Sequence, residues 1–235
     1  MSAFLPPPGY PRIKVVGGFA ELLATPWADG INALCWPRAL PEGFGEIVDR
    51  LESSDDLTDL DEARLHALPL GAAGRAARDF MLADLQRLRA EGLAPVLNRI
   101  RRYPRDDATA VVPTDVYSFH ADSAPVAADT WLCTYHGAPS EGLRNDEARR
   151  RSDDPAVRAA LLREYGGADD ADFKAWLREN SFDLHYAPLP GAQPFSFGLG
   201  HLWRIALAHP GSPVPPCLHR APADDPDRPR LLLIS

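Results

Sequence analysis

Near Thr114 the rhythm of apolar residues changes, and this change constrains the fold more than any other feature of the chain. Before it, apolar side chains recur three and four apart, the spacing that gives a helix one buried stripe. After it, short β-prone runs stand between turns bearing proline and glycine. In the first half, Gly43–Glu52 spaces Phe44, Ile47, Val48 and Leu51 for a helix, and Leu57–Leu68 repeats the pattern through Leu57, Leu60 and Leu65 until Pro69. Ala72–Glu91 is the longest helical stretch, with Phe80, Leu82, Leu85 and Leu88 on its core side and Gly92 as its cap. Ile31–Trp36 reads as a strand closed by Pro37. In the second half, Tyr117–Asp122, Thr130–Tyr135, Phe195–Leu207 and Leu231–Ile234 read as strands. Between them, Asn145–Asn180 reads as two charged helices, started by Asp154-Pro155 and broken at Gly166-Gly167. The expectation is an α+β fold in a single domain over 1–235. A mainly helical buttress (1–110) would pack against an antiparallel jelly-roll core (111–235) that carries a helical insertion (145–180).

Composition narrows the function. A chain of 235 residues, 45% apolar, can bury one full core. Its 33 acidic and 25 basic residues leave a net charge of −8, and 23 of the cations are arginine. That balance argues against a nucleic-acid partner, which requires a clustered basic face. No run approaches the roughly 20 apolar residues of a membrane span, and Met1–Pro11 is proline-rich without the apolar stretch of a secretory signal. Cys35, Cys133 and Cys217 are far apart and form no Cys-x-x-Cys pair, which speaks against a disulfide scaffold or a thiolate zinc site. A cytoplasmic protein acting on a small molecule, with no membrane partner, is expected.

The chemistry-bearing group lies in Tyr117-Ser118-Phe119-His120-Ala121-Asp122. On a strand, His120 and Asp122 project from one face, and Phe119 and Ala121 from the other. An imidazole nitrogen and a carboxylate oxygen leaving a strand together can chelate a divalent metal. A second histidine would complete the facial triad of non-haem iron sites. His219, in His219-Arg220-Ala221-Pro222, is the candidate, and the final apolar run Arg230–Ile234 comes shortly after it. Arg230, eleven residues beyond His219 at the mouth of that strand, could hold the far carboxylate of a dicarboxylic co-substrate. The plainer alternatives are a structural His–Asp hydrogen bond, a loop histidine and a surface arginine.

This set, His120-x-Asp122, His219 ninety-nine residues later and Arg230 on the next strand, resembles the Fe(II)- and 2-oxoglutarate-dependent dioxygenases in order and spacing. Their core is a double-stranded β-helix, a distorted jelly roll buttressed by helices. More narrowly, four stretches are similar to an uncharacterised bacterial family with F-H-x-D, T-Y-x-G-x-G-T-E-W-L, H-R-S-P and R-L-L-L motifs: Phe119–Asp122, Thr134–Leu143, His219–Pro222 and Arg230–Leu233. Ser140, Gly142 and Ala221 depart from that pattern. The resemblance implies that His120, Asp122 and His219 ligate Fe(II) and that Arg230 anchors 2-oxoglutarate, with Arg228 as the alternative anchor. It also implies that Tyr135, Thr134 or Tyr117 lines the co-substrate pocket. The implied reaction is oxidation of a small molecule, a hydroxylation or demethylation, coupled to decarboxylation of the co-substrate to succinate.

Other groups read more plainly. His201 is the rival for the second histidine, without a strand-opening arginine behind it. His185 reads as a loop residue in water, with the substrate side as its alternative, and His136 as a turn residue, with substrate binding as its alternative. Trp131 and Trp203 read as core or pocket wall, and Arg149-Arg150-Arg151 as a solvated helix face, with contact to a phosphate or carboxylate as its alternative. Cys133 and Cys217 read as buried packing. No Gly-x-Ser-x-Gly, Walker, His-Glu-x-x-His or dinucleotide-binding pattern occurs. The competing functions are a metal-binding jelly-roll sensor without catalysis and a partner-binding domain without metal.

Overall fold

The structure, a computed structural model, describes residues 4–51 and 55–235. The first half of the chain gives β1 (Ile13–Val15), α1 (Phe19–Ala24), β2 (Ala33–Trp36), α2 (Phe44–Arg50), β3 (Leu57–Asp59), α3 (Glu62–Ala67), α4 (Ala72–Ala90) and β4 (Val96–Ile100). The second half gives β5 (Phe119–His120), β6 (Asp129–His136), β7 (Glu141–Leu143), β8 (Ala148–Arg150), α5 (Pro155–Tyr165), α6 (Ala171–Glu179) and β9 (His185–Pro188). It ends with β10 (Phe195–Ser196), β11 (Leu202–Ala206), β12 (Leu218–Arg220) and β13 (Arg230–Ile234). The strands form a seven-stranded sheet, β1-β2-β11-β6-β13-β4-β3, and a six-stranded sheet, β10-β7-β12-β5-β9-β8. The fold is therefore mixed α and β with two large sheets.

Strand alternation sorts the larger sheet into two faces. Leu34, Leu97, Trp131, Cys133, Tyr135, Leu202, Leu231 and Leu233 join the helices in one core. Their neighbours Ala33, Cys35, Leu132, Trp203 and Ile205 form a second core on the opposite face, with Phe197 and Cys217. Helix α4 supplies Ala77, Met81, Leu82, Leu85 and Leu88 to the first core. Asp84 also lies on its buried face, fully shielded from water. Such a carboxylate is tolerable only when paired. Arg38 (2.6 Å), Arg87 (2.9 Å) and the Tyr135 hydroxyl (2.8 Å) all donate to it, tying α4 to β6.

The start of α4 is capped from a distance, since Glu46 of α2 accepts from the backbone N–H of Gly71 (2.6 Å) and Gly74 (3.1 Å). The two helices meet closely here, and a Cβ on Gly43 would lie 2.3 Å from the Ala73 carbonyl carbon. At its other end, Gly92 at φ +77 lets its own N–H reach Arg89 and that of Leu93 reach Leu88, a Schellman closure. Helix α5 begins as its sequence predicts: Asp154 accepts from Ala156 and Val157 N–H, Pro155 fills the first turn, and Gly166 ends it in the left-handed region. Helices α5 and α6 lie between β8 and β9 and close a small core of Leu161, Phe173 and Leu177 over Val112.

Three expectations need correction. The N-terminal part is not only a helical layer: it supplies four strands of the seven-stranded sheet. Leu57–Leu68 is not one helix. Residues 57–59 pair with β4, leaving Leu57 exposed and Thr58 buried, and only Glu62–Ala67 is helical, started by Asp61 accepting from Arg64 N–H. Arg149-Arg150-Arg151 does not lie on a helix; it crosses from β8 into a 3-10 turn, Arg151–Asp153. Glu52, the expected end of α2, lies outside the described residues. No helix among the described residues is long and apolar enough to cross a membrane.

Candidate metal centre

Strand pairing brings the two distant histidines together. His219 on β12 is the cross-strand partner of His120 on β5, so their side chains leave the same face. That face looks toward the larger sheet, where His219 stacks against Phe197 of the second core. Phe119 and Ala121 turn the other way, into a cluster with Leu143 and Leu218. Asp122 lies just past the end of β5 on the histidine side.

One donor atom each from His120, Asp122 and His219 fits within 4.8 Å of the other two. His120 Nε2 is 3.7 Å from Asp122 Oδ1, and His219 Nε2 is 3.7 Å from Asp122 Oδ2. Donors sharing one ion at bond lengths of roughly 2.1 Å must lie about 3–4 Å apart, so the trio fits a single first-row divalent cation.

The surroundings prepare these groups as ligands. His120 Nδ1 lies 2.8 Å from the Ser118 carbonyl oxygen. That contact places the ring proton on Nδ1 and leaves the Nε2 lone pair facing the centre. Burial, reinforced by His219, pushes the His120 pKa down to about 4, so the ring is neutral at physiological pH. Burial alone would raise the Asp122 carboxyl. His219, the Thr130 hydroxyl and His120 together outweigh it and hold the group below its ordinary value. The Thr130 hydroxyl donates to Asp122 Oδ2 at 2.5 Å from β6, bridging the two sheets. Two imidazoles and one carboxylate, each but His219 fixed by a hydrogen bond, suit Fe(II) and related ions.

Arg230 opens β13 and is 7% exposed. Its Nη2 donates to Ser140 Oγ at 2.9 Å and more weakly to Thr134 Oγ1 at 3.4 Å, while Nε has no partner. Among the described residues no carboxylate comes within ion-pair distance of it. Burial pulls its pKa down, with Tyr103 and Tyr117 opposing. A buried guanidinium that meets only hydroxyl groups is an anion site in waiting.

The remaining expected pocket residues divide. Thr134 faces Arg230. Tyr117 stands at the rim, donating to Asp224 and accepting from Tyr103 N–H at 2.8 Å. Tyr135 does not face Arg230: alternation turns it to the helices, where it stacks on Phe44 and donates to Asp84. Arg228 does not share the strand with Arg230; it lies exposed in the preceding turn, its N–H bonded to Asp225 O. His201 sits elsewhere, accepting from Arg38 N–H. His136 packs toward α2 with Nδ1 2.9 Å from Pro229 O. The three cysteines are buried and free. His185 is no loop residue: it lies on β9, buried, as the other cross-strand partner of His120.

Sequence reasoning missed Thr130 and Ser140. A hydroxyl opposite the His-x-Asp strand, and one two residues before Gly142, were the available signals. At Gly142, where the resembled pattern has tryptophan, the Phe195 ring takes the space; a Cβ there would lie 2.2 Å from Phe195 Cζ. Compared with protein-family models, curated proteins and solved structures, the chain matches none.

Proposed function

We propose that this chain is a non-haem Fe(II)- and 2-oxoglutarate-dependent oxygenase of the double-stranded β-helix type, acting on a small molecule. The observation that carries this reading is the pairing of two features on facing sheet surfaces. One is a His120–Asp122–His219 donor set; the other is a buried Arg230 without an acidic partner. Thr130, bonded to Asp122, and Thr134, bonded to Arg230, lie four residues apart on β6. That stretch spans about 13 Å of extended chain, which the Arg230 side chain narrows to the reach of a short dicarboxylate. The antiparallel pairing of β5, β7, β9, β10 and β12 opposite the larger sheet supports the distorted jelly-roll reading.

Bound Fe(II) would supply dioxygen activation coupled to oxidative decarboxylation of 2-oxoglutarate to succinate and carbon dioxide. The chain's own residues hold and orient. Ser118 and Thr130 fix the ligating atoms of His120 and Asp122, and Arg230, Ser140 and Thr134 receive the distal carboxylate. Phe197 and the neighbouring apolar core keep water from one side of the centre.

The test is anaerobic titration of the metal-free protein with Fe(II) and then 2-oxoglutarate. A visible charge-transfer band that disappears in Asp122→Ala is expected, together with succinate formation in air. A folded protein that gives no band refutes co-substrate chelation. A band without succinate across a metabolite panel leaves the non-catalytic sensor.

A further inference from the structure

The inner face of the six-stranded sheet carries a row of three histidines. His219, His120 and His185 are consecutive cross-strand partners on β12, β5 and β9. The first two belong to the metal centre. His185 does not, although its ring centroid is 5.7 Å from that of His120. It is 4% exposed, and its Nδ1 has no hydrogen-bond partner. A buried ring atom left unpaired costs free energy unless something outside the chain satisfies it.

Its surroundings repeat the pattern. Ser118 Oγ, on the residue two before His120, is buried without a partner, and so is Arg151 Nε. Arg151 begins the 3-10 turn that packs on β9. After burial itself, its guanidinium is the strongest influence holding the His185 pKa down at about 4. No carboxylate of the described residues pairs with Arg151, and burial alone shifts its own pKa, downward.

Two of the acids nearby are committed elsewhere. Asp106 accepts from the Thr114 N–H and hydroxyl. Asp115 accepts from the N–H groups of Asp106, Tyr117 and Ser118. Asp183 acts on Arg150 through its charge alone, and its Oδ1 is buried without a hydrogen-bond partner. A guanidinium and an imidazole on the β9 side of His120, and a hydroxyl two residues before it in the chain, are left uncommitted. All three can donate, and one carries a charge.

We propose that the organic substrate is a carboxylate, received by Arg151 with His185 and Ser118 on the β9 side of the metal centre; this rests on the oxygenase reading above. A carboxylate there would satisfy all three donors. It would also hold the rest of the substrate beside the donor triad, and Arg230 would remain for the co-substrate.

The test uses the metal-free full-length chain in an Arg230→Met background, which leaves one anion site, with propionate, inorganic phosphate and propylamine followed by saturation-transfer NMR. Saturable propionate binding is expected, weakened about tenfold or more by Arg151→Gln, the loss of one charged hydrogen bond, and partly kept in Arg151→Lys. The Arg151 guanidinium has no partner among the described residues, so melting should not change; His185→Phe gives a second variant. Absent propionate binding, binding indifferent to Arg151→Gln, or preference for phosphate or propylamine overturns the proposal. Iron-dependent succinate formation in a protein without the propionate site sinks this inference alone. Arg151-dependent propionate binding in that background, with no iron-dependent succinate formation by the protein that keeps Arg230, upholds the carboxylate site and sinks the oxygenase reading.

Discussion

Replacing Arg230 by methionine should stabilise the metal-free protein while removing the proposed co-substrate site. The guanidinium is 7% exposed and meets the hydroxyl groups of Ser140, Thr134 and Tyr103, with Nε unpaired. Holding an unpaired ion away from water costs several kcal/mol even after relaxation. Against this stand one good charged hydrogen bond, to Ser140, of about 1.5–3 kcal/mol, a contact to the Tyr103 hydroxyl, and a contact to Thr134 too long to contribute much. Methionine fills a similar volume with no charge. The net expectation is a gain of about 1–2 kcal/mol, or roughly 2–8 °C in melting temperature for a chain of this size. Differential scanning calorimetry of metal-free wild type and Arg230→Met reads the sign directly. With saturating 2-oxoglutarate and a redox-inert divalent metal, the order should reverse, because ligand at a hundredfold excess over its Kd contributes about 2.7 kcal/mol to the wild type alone. A variant destabilised by more than about 1 kcal/mol without ligand would mean that the fold already satisfies Arg230. The anion-site reasoning would then fail.

The same geometry sets three further outcomes. Thr130→Val removes the hydroxyl that holds Asp122 Oδ2, and metal affinity should fall about 10–100-fold in a chelator competition assay while 2-oxoglutarate contacts at Arg230 persist. Tyr135→Phe strips one donor from the buried Asp84 and should cost about 1–3 kcal/mol in denaturant melts with Fe(II) and 2-oxoglutarate binding unchanged; loss of co-substrate binding would return Tyr135 to the pocket. In the metal-free protein, His120 and His185 sit at about 4 when folded against about 6.5 when unfolded. The unfolded chain therefore binds more protons between those values, and stability present above pH 6.5 should be lost as pH falls toward 4. Melts across that range should show a smaller slope in His185→Phe; an unchanged slope would refute the assignment for His185.

Local pattern carried much of this fold into view, and the limits of local pattern mark where it stopped. Helix α4 was legible because its stripe runs for nineteen residues, and α5 because Asp154-Pro155 and Gly166 act within a turn of their own positions. Strand β3 was not. Leu57, Leu60 and Leu65 fit a helical spacing by coincidence, and residues 57–59 are extended because β4, forty residues away, offers its edge. The same distinction applies at the site. His-x-Asp on one strand is a local statement and placed both groups on one face. Choosing between Thr134 and Tyr135 required knowing which face of β6 meets the second sheet, and alternation alone cannot name the inner side. His185 was misread for a related reason, since nothing in Asp183–Tyr186 announces that His120 will lie across from it.

An irregularity in β6 explains how one strand serves both the helical core and the anion site. Opposite β13, Leu232 pairs with Thr134 but Leu231 pairs with His136, so Tyr135 is an extra residue in the ladder. A bulge of this kind turns the strand and reverses the facing of the residues beyond it. His136 consequently joins Tyr135 on the helical side, near Gly45 of α2, instead of pointing between the sheets. The next residue, Gly137, has φ +79 and lies against the start of β13; a Cβ there would come within 3.0 Å of both Cα and Cγ of Arg230. Only glycine accepts that backbone shape and that proximity without strain. The bulge empties the inner face of bulky side chains just where Arg230 arrives, and Gly137 lets the arginine backbone close against it. Thr134 and Ser140 thus meet its guanidinium from this side, where a regular strand would have presented the His136 imidazole.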